Sequence, residues 1–199
     1  ELLRARSTEG GFPIIYVNMV GGQDELVFDG GSMAVSAEGE CHCLAPGYVE
    51  TLLPVVVHEP AESGAPCTIP MQHIAAPLSL EAQVYHSLVL GVRDYVNKNG
   101  FKGVVLGLSG GIDSGLTLAI AADALGAERV QAVMMPFTYT SQLSLDVAAE
   151  QANKIGVDYQ SISIEGVYSA FIEALEDQFA DTEADVSEQN IQARCRGVL

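Results

Sequence analysis

Hydrophobic and polar positions change their period along the chain, and the change divides it into two parts. The first part has short apolar runs separated by glycine pairs, a pattern that is typical of strands joined by turns. The predicted strands span residues 12–20, 25–29, 32–36 and 48–57, with a turn at 37–40. Residues 59–78 mix proline, glycine, serine and alanine, a composition that predicts a linker.

From Ser79 onward, apolar residues at helical spacing alternate with short apolar strands. Ser79 is a predicted helix N-cap, and glycines end the predicted helices. Strands that alternate with helices indicate an α/β fold with a parallel, doubly wound sheet, whose ligands bind at the C-terminal ends of the strands. The predicted helices are 79–98, 115–125, 142–155, 167–179 and a last one beginning near Asp185 or Ser187; the predicted strands are 103–108, 129–135 and 157–163.

The composition is that of a globular chain. Of its 199 residues, 48% are hydrophobic, and the mean hydropathy of +0.23 indicates ample core material. No apolar run approaches the roughly 20 residues that span a bilayer. The net charge is −17, from 26 acidic and 9 basic residues. This charge argues against a nucleic acid partner and against an anionic membrane surface, because both bind clustered Lys and Arg.

The N-terminus and the cysteines indicate whether the chain is part of a longer protein and which redox environment it occupies. Residues 1–6 contain neither an initiator methionine nor a signal-peptide core, so we expect the chain to be a piece of a longer protein. The run Cys41-His42-Cys43 lacks the two-residue gap usual between zinc-binding cysteines. We therefore expect the cysteines to be small buried thiols, without a disulfide framework, in a reducing cytoplasmic location.

Residues 107–114 read Gly-Leu-Ser-Gly-Gly-Ile-Asp-Ser and lie between a predicted buried strand and a predicted helix. A helix N-terminus preceded by glycines is an anion site, because unpaired N–H groups and the helix dipole converge there. The two central glycines allow the backbone to approach a phosphate closely, and the two serines add hydroxyl donors. A carboxylate facing phosphates needs a cation between them, so Asp113 predicts Mg²⁺ held against a polyphosphate.

Two other phosphate-binding motifs are excluded at this loop. A Walker A loop needs a lysine after its last glycine, and a dinucleotide fingerprint needs glycine where position 109 has serine. What remains, Ser-Gly-Gly-x-Asp-Ser, resembles the pyrophosphate-binding loop of ATP pyrophosphatases, which split ATP between its α and β phosphates while adenylating a substrate oxygen. By that resemblance Mg²⁺ binds through Asp113, and ATP contacts Gly107, Leu108, Ser109, Gly110, Gly111, Ile112, Asp113 and Ser114.

Other segments narrow the resemblance to glutamine-dependent NAD(+) synthetases. Residues 187–196 resemble the Asn-[Ile/Val]-[Lys/Gln]-Ala-Arg-x-Arg helix of NAD synthetases. Residues 133–136 and 139–144 resemble their next nucleotide-proximal loop. Residues 16–32 resemble the late strands of the nitrilase-type glutaminase domain that precedes the synthetase domain in the glutamine-dependent members. The resemblance therefore covers nearly the whole chain, in the family's order.

The same resemblance assigns substrate residues to the last predicted helix. It implies that Asn190 and Arg194 contact the deamido dinucleotide. Without the motif, Arg194 and Arg196 would be interpreted as a solvated helix face. Tyr139 and Thr140 fit the lining of a nucleotide pocket, a core or a surface equally well.

The resemblance also implies how the chain is divided. Residues 1–58 correspond to the C-terminal segment of a nitrilase-like α-β-β-α sandwich, and residues 59–78 to the linker. Residues 79–199 correspond to the N-terminal part of the ATP-pyrophosphatase domain, with a truncated doubly wound parallel sheet. In the family the glutaminase Glu, Lys and Cys lie upstream of this chain, so we expect no glutaminase activity and no catalytic residue in it. The full-length protein is expected to be a homo-oligomer.

The implied reaction is the ATP-dependent amidation of nicotinic acid adenine dinucleotide (deamido-NAD) to NAD. ATP adenylates the substrate carboxylate, and ammonia supplied from glutamine displaces AMP. We expect this piece alone to be inactive. Two alternatives stay open: another pyrophosphate-loop amidotransferase or ligase, such as a GMP synthetase, and a nucleotide-binding module without turnover.

Overall fold

The computed structural model describes residues 1–60, 62, 64–176 and 186–199 of the chain. The chain divides into two compact units, residues 1–99 and residues 100–199. Among the described residues, no helix has both the length and the apolar character that crossing a bilayer requires.

Antiparallel strands and helices build the first unit. Its elements are α1 (Leu2–Gly10), β1 (Ile14–Tyr16), β2 (Val20–Gln23), β3 (Leu26–Asp29), β4 (Met33–Val35), β5 (Cys41–Leu44) and α2 (Leu80–Lys98). Strands β1, β4 and β5 form one antiparallel sheet in that order, and β2 and β3 form an antiparallel hairpin. The core contains the buried side chains of Ala34, Cys43 and Ile69, with Leu53 and Val55 packed against them.

The predicted strand at 12–20 is wrong in its extent, because the structure breaks it into β1 and the start of β2. The glycines at 21 and 22 lie inside β2 and do not form the predicted turn. Helix α2 packs against this hairpin. A Cβ on Gly22 would lie 3.2 Å from Gly91 Cα. Glycine in β2 therefore allows α2 to pack closely against the strand.

The predicted strand at 48–57 is also wrong. The run has the alternation of a strand, since Leu53 and Val55 pack on the core while Leu52 is 94% exposed. It forms no ladder with a described neighbour, and the Val56 N–H donates instead to the Gln72 side-chain oxygen at 2.8 Å. Alternation thus predicted which side chains face the core, whereas a strand also needs a paired backbone.

Helix α1 was not among the predicted elements, and tertiary contacts explain why it forms. Ser7 is fully buried, and its hydroxyl lies within hydrogen-bonding range of the carbonyl oxygens of Phe12 and Ser36. The Arg4 Nε–H donates to the Gly39 carbonyl oxygen at 3.0 Å. The helix is therefore held by the chain that follows it and not by an apolar stripe of its own.

A parallel sheet with helices between its strands builds the second unit. Its elements are β6 (Val104–Gly107), α3 (Ile112–Leu125), β7 (Val130–Met134), α4 (Gln142–Ile155), β8 (Asp158–Ser161), α5 (Glu165–Ala174) and α6 (Val186–Val198). The strands are parallel in the order β6-β7-β8, which confirms the predicted α/β fold. Leu118 of α3 and Ala132 of β7 are fully buried in its core.

Most element ends in this unit agree with the predictions. Ser141 caps α4 by accepting the Ser144 N–H at 3.2 Å, and Gly156 ends it in the left-handed conformation. Helix α3 begins three residues earlier than predicted, at Ile112. The helix predicted at 167–179 is α5, which begins two residues earlier; residues 177–179 and Asp185 lie outside the described residues.

The cysteines agree with the predicted buried thiols only in part. Cys43 and Cys195 are fully buried, whereas Cys41 and Cys67 are half-buried. All four are free thiols.

Candidate functional site

The loop between β6 and α3 is held at its base by the sheet. Leu108 is buried, and its N–H donates to the Val133 carbonyl oxygen of β7 at 2.9 Å. The loop therefore leaves the sheet at the C-terminal edge of its parallel strands. In α/β folds this edge is where ligands bind.

Two serine side chains close the loop on itself. The hydroxyl oxygens of Ser109 and Ser114 lie 2.9 Å apart. The Ser109 N–H donates to Ser114 Oγ at 3.2 Å, and the Gly111 N–H donates to Ser109 Oγ at 3.3 Å. The Ser114 hydroxyl also donates to the Gly111 carbonyl oxygen at 3.0 Å. The serines that were predicted as phosphate donors therefore also set the shape of the loop.

Gly110 lies where the loop meets α4. Its φ of +77° is in the left-handed region that favours glycine. A Cβ at this position would lie 2.3 Å from the Ser144 backbone oxygen. Backbone conformation and lack of space thus both require glycine here.

The N-terminus of α3 faces the same loop. Gly111 is its N-cap, and no side chain of a described residue caps the helix. The first N–H groups of a helix have no partner within it, so this end of α3 offers backbone donors and the positive end of the helix dipole. Asp113 lies exposed in this first turn.

The structure also bears on how a cation would be held at Asp113. Among the described residues, no three His, Cys, Asp or Glu side chains are grouped to hold a metal ion. A single carboxylate beside an anion-binding helix end suits Mg²⁺, which usually takes one or two carboxylates and completes its shell with substrate phosphates and water. Asp113 therefore fits a cation that arrives with a polyphosphate.

A cavity of about 340 Å³ opens beside the loop, and we refer to it as the strand-end cavity. It is lined by residues 107–109, residues 133–135, Thr140 and Arg196. Thr140 thus lines the cavity, and its hydroxyl oxygen accepts the Phe137 N–H at 2.9 Å. Tyr139 is 87% exposed and does not line it.

Helix α6 brings Arg196 to this cavity, and not the predicted substrate residues Asn190 and Arg194. The Arg196 Nε–H donates to the Met135 carbonyl oxygen at 3.2 Å. Asn190 and Arg194 are exposed and do not line the strand-end cavity. Cys195 is fully buried between the two arginines, so they lie on different sides of the helix. The sequence signal for this difference is that the two arginines are two positions apart, which places them on different sides of a helix.

A second, wider groove of about 740 Å³ runs between α3 and α4. It is lined by residues of both helices, including Leu116, Val147 and Lys154. On its floor the Gln151 side-chain amide donates to the Gly115 carbonyl oxygen at 2.8 Å. This contact links the helix that follows the loop to α4.

Comparison with known proteins agrees with this geometry. Residues 84–199 match the NAD synthase family. The glutamine-dependent NAD(+) synthetase of Acinetobacter baylyi is 47% identical over 186 residues, which are 94% of this chain and 34% of that protein. The chain therefore spans about a third of the length of such relatives.

Solved structures show the same likeness. The glutamine-dependent NAD+ synthetase of Acinetobacter baumannii, in complex with adenosine diphosphate, superposes with a TM-score of 0.91 at 45% identity. The match covers 99% of this chain and 36% of that one. The NH3-dependent NAD synthetase of Campylobacter jejuni matches 59% of this chain and 48% of its own, with a TM-score of 0.52 and 30% identity. The chain belongs to the NAD synthase family.

Proposed function

We propose that this chain is part of a glutamine-dependent NAD(+) synthetase and carries a portion of its ATP site. The reaction is the ATP-dependent amidation of deamido-NAD to NAD, with ammonia supplied from glutamine. The observation that carries the proposal is the loop at 107–114, at the edge of a parallel sheet. It combines glycines that leave the backbone accessible, the N-terminus of a helix and a carboxylate. The family match over residues 84–199 supports it.

The loop suits a polyphosphate because its backbone provides the contacts. Residues 107–114 form the ATP-binding segment, with the phosphates between the N-terminus of α3 and the adjoining strand-end cavity. The shape of the loop is set by its own hydrogen bonds, so little reorganisation is needed when a phosphate arrives. The ADP in the Acinetobacter baumannii structure supports an adenine nucleotide as the ligand.

Mg²⁺ would be held by Asp113 together with phosphate oxygens, and it would supply charge neutralisation on the polyphosphate. The chain's own part in the chemistry is positioning and electrostatic stabilisation. The attacking group is the carboxylate of deamido-NAD, so adenylation needs no general base from the protein. Helix-end N–H groups near Asp113 stabilise the charge on the phosphates.

Asn190 and Arg194 are the proposed contacts to deamido-NAD. Both are exposed on α6, and neither side chain has a hydrogen bond or ion pair with another described residue. Their side chains are thus available to a ligand on the outer side of the helix. The positive charge of Arg194 suits a dinucleotide with two phosphates and a carboxylate.

The domain organisation follows the same proposal. Residues 1–58 are the end of a nitrilase-like glutaminase domain, 59–78 a linker, and 79–199 the start of the synthetase domain. The family match from residue 84 supports the second boundary. We propose that the glutaminase Glu, Lys and Cys lie outside this chain, that the chain alone does not turn over, and that the whole protein is a homo-oligomer.

Calorimetric titration of Mg·ATP into the chain tests the ATP site. We expect saturable binding that Asp113→Ala abolishes. Asp158→Ala is the matched control, because Asp158 starts β8 at the opposite end of the sheet and its carboxylate accepts the Gln131 side-chain amide. Equal heats from the parent and Asp113→Ala would overturn the assignment of the loop.

The amidation itself is tested in a protein of the relatives' length. The Acinetobacter baylyi synthetase, with its matching segment replaced by this chain, should release pyrophosphate only when deamido-NAD is present. Release with another acceptor instead would favour a different pyrophosphate-loop ligase. Binding of Mg·ATP by the chain, with no release in the chimera, would favour a nucleotide-binding module without turnover.

A further inference from the structure

Arg196 is the one basic side chain that lines the strand-end cavity among the described residues. Its Nε–H donates to the carbonyl oxygen of Met135, the residue that follows β7. A guanidinium has five N–H donors, and no other hydrogen bond or ion pair joins the Arg196 side chain to a described residue. Its terminal NH₂ groups are therefore available at the cavity.

The side chain is held in place from both ends. Cys195, the preceding residue, is fully buried and anchors this turn of α6. The bond to Met135 fixes the guanidinium next to the sheet edge that carries the loop. Among the described residues Arg196 has no acidic partner, so its positive charge is available to an anion in the cavity.

The loop itself contributes no cationic side chain. Residues 107–114 contain no Lys or Arg, and their one charged side chain is the acidic Asp113. Phosphates bound there meet backbone N–H groups, but side-chain positive charge has to come from another element. Ser109 belongs both to the loop and to the lining of the cavity, so the two sites are continuous.

We propose that Arg196 is the cationic contact of the bound nucleotide and pairs with its phosphate oxygens through the terminal guanidinium groups. This inference rests on the proposed ATP site. Helix α6 would then contact two ligands from two of its sides. Arg196 would bind the nucleotide phosphates, and Arg194 would bind deamido-NAD. The planar guanidinium of arginine matches two oxygens of a phosphate group especially well.

The test separates the charge of Arg196 from its bond to Met135. Arg196→Gln keeps an N–H donor for the Met135 oxygen and removes the charge, whereas Arg196→Lys keeps the charge. Dissociation constants for Mg·ATP and for Mg·pyrophosphate are measured with the 199-residue chain. We expect Arg196→Gln to weaken both by about ten- to hundredfold and Arg196→Lys to stay within about fivefold of the parent.

Lys102→Gln is the matched control, because it also removes one positive charge. Lys102 is exposed and precedes β6, at the end of the strand opposite to the loop. It should bind both ligands like the parent. Arg196→Gln binding as the parent does, or Arg196→Lys binding as weakly as Arg196→Gln, would overturn the inference while the ATP site stands. A parent chain that binds no Mg·ATP would overturn the proposed function, and this inference with it.

Discussion

The Asp94 carboxylate of α2 accepts a hydrogen bond from the backbone N–H of Gly22 in β2 at 2.8 Å. The contact spans 72 residues of sequence and joins the helix to the hairpin of the first unit. Lys98, one turn later, forms an ion pair with Asp94 at 3.3 Å and donates to the Gly22 carbonyl oxygen. Both backbone groups of Gly22 are thus satisfied by side chains of α2.

Removing this carboxylate should destabilise the chain. Asp94→Ala leaves the buried Gly22 N–H without its partner, which we expect to cost about 1–3 kcal/mol. Urea denaturation followed by circular dichroism measures the loss. Glu150→Ala is the control, because it breaks an exposed ion pair with Lys154 and should change stability by less than about 0.5 kcal/mol. Equal effects of the two variants would contradict the assigned role of Asp94.

The same carboxylate should make stability depend on pH. Partial burial by itself raises the pKa of Asp94, but hydrogen bonds from Gly22, Lys98 and Arg93 outweigh it and leave the pKa below its usual value. A carboxyl whose pKa is lower in the folded state stabilises the fold above its unfolded pKa, and this stabilisation is lost as the pH falls through the folded pKa.

We therefore expect the parent to be more stable than Asp94→Asn near neutral pH, with the difference shrinking below about pH 4. Urea midpoints of both proteins, measured across this range, provide the check. A difference that stays constant down to about pH 2 would mean that the ionised form of Asp94 contributes nothing.

Gly110→Ala should damage both the loop and its binding of Mg·ATP. The left-handed backbone and the Cβ position 2.3 Å from Ser144 O together predict a loss of at least about 1–3 kcal/mol. Gly166→Ala is the control, because a Cβ there meets nothing within 4 Å and its helical backbone suits alanine. Thermal unfolding and calorimetry with Mg·ATP give the two measurements. An alanine tolerated equally well at both positions would refute the close approach of the loop to α4.

Leu118 should dominate the packing of α3. It is fully buried, so Leu118→Ala is expected to cost about 2–5 kcal/mol through lost contacts and a cavity. Leu116, two residues earlier on the same helix, is 50% exposed, and Leu116→Ala should cost less than about 1 kcal/mol. Denaturant midpoints of the two variants measure the contrast. A similar loss of stability at both positions would mean that the face of α3 with Leu118 is not the buried one.

The second unit could be predicted well because its signals are local. Ser141 and Gly156 mark the ends of α4 through cap chemistry that a few residues contain. The order of strand, glycine loop and helix at 104–125 fixes where the backbone donors converge. The loop was therefore identified without knowledge of any distant contact.

The first unit was predicted less well because its features depend on distant partners. The run at 48–57 has strand-like alternation, but only the fold decides whether a neighbouring strand is present to pair with it. The glycines of β2 resemble a turn in the sequence, and the approach of α2 explains them instead. Helix α1 forms because its buried Ser7 is bonded by later residues.

The sequence by itself determined the α/β alternation of the second unit, the position of the phosphate-type loop and the residues that build it. These depend on neighbouring residues, whose spacing and conformational preferences are set along the chain. Only the tertiary structure decided that Arg196, and not Arg194, faces the strand-end cavity, and that Asp94 secures Gly22. Those choices depend on which helix face packs inward and on contacts between residues far apart in sequence, and a single sequence does not specify either.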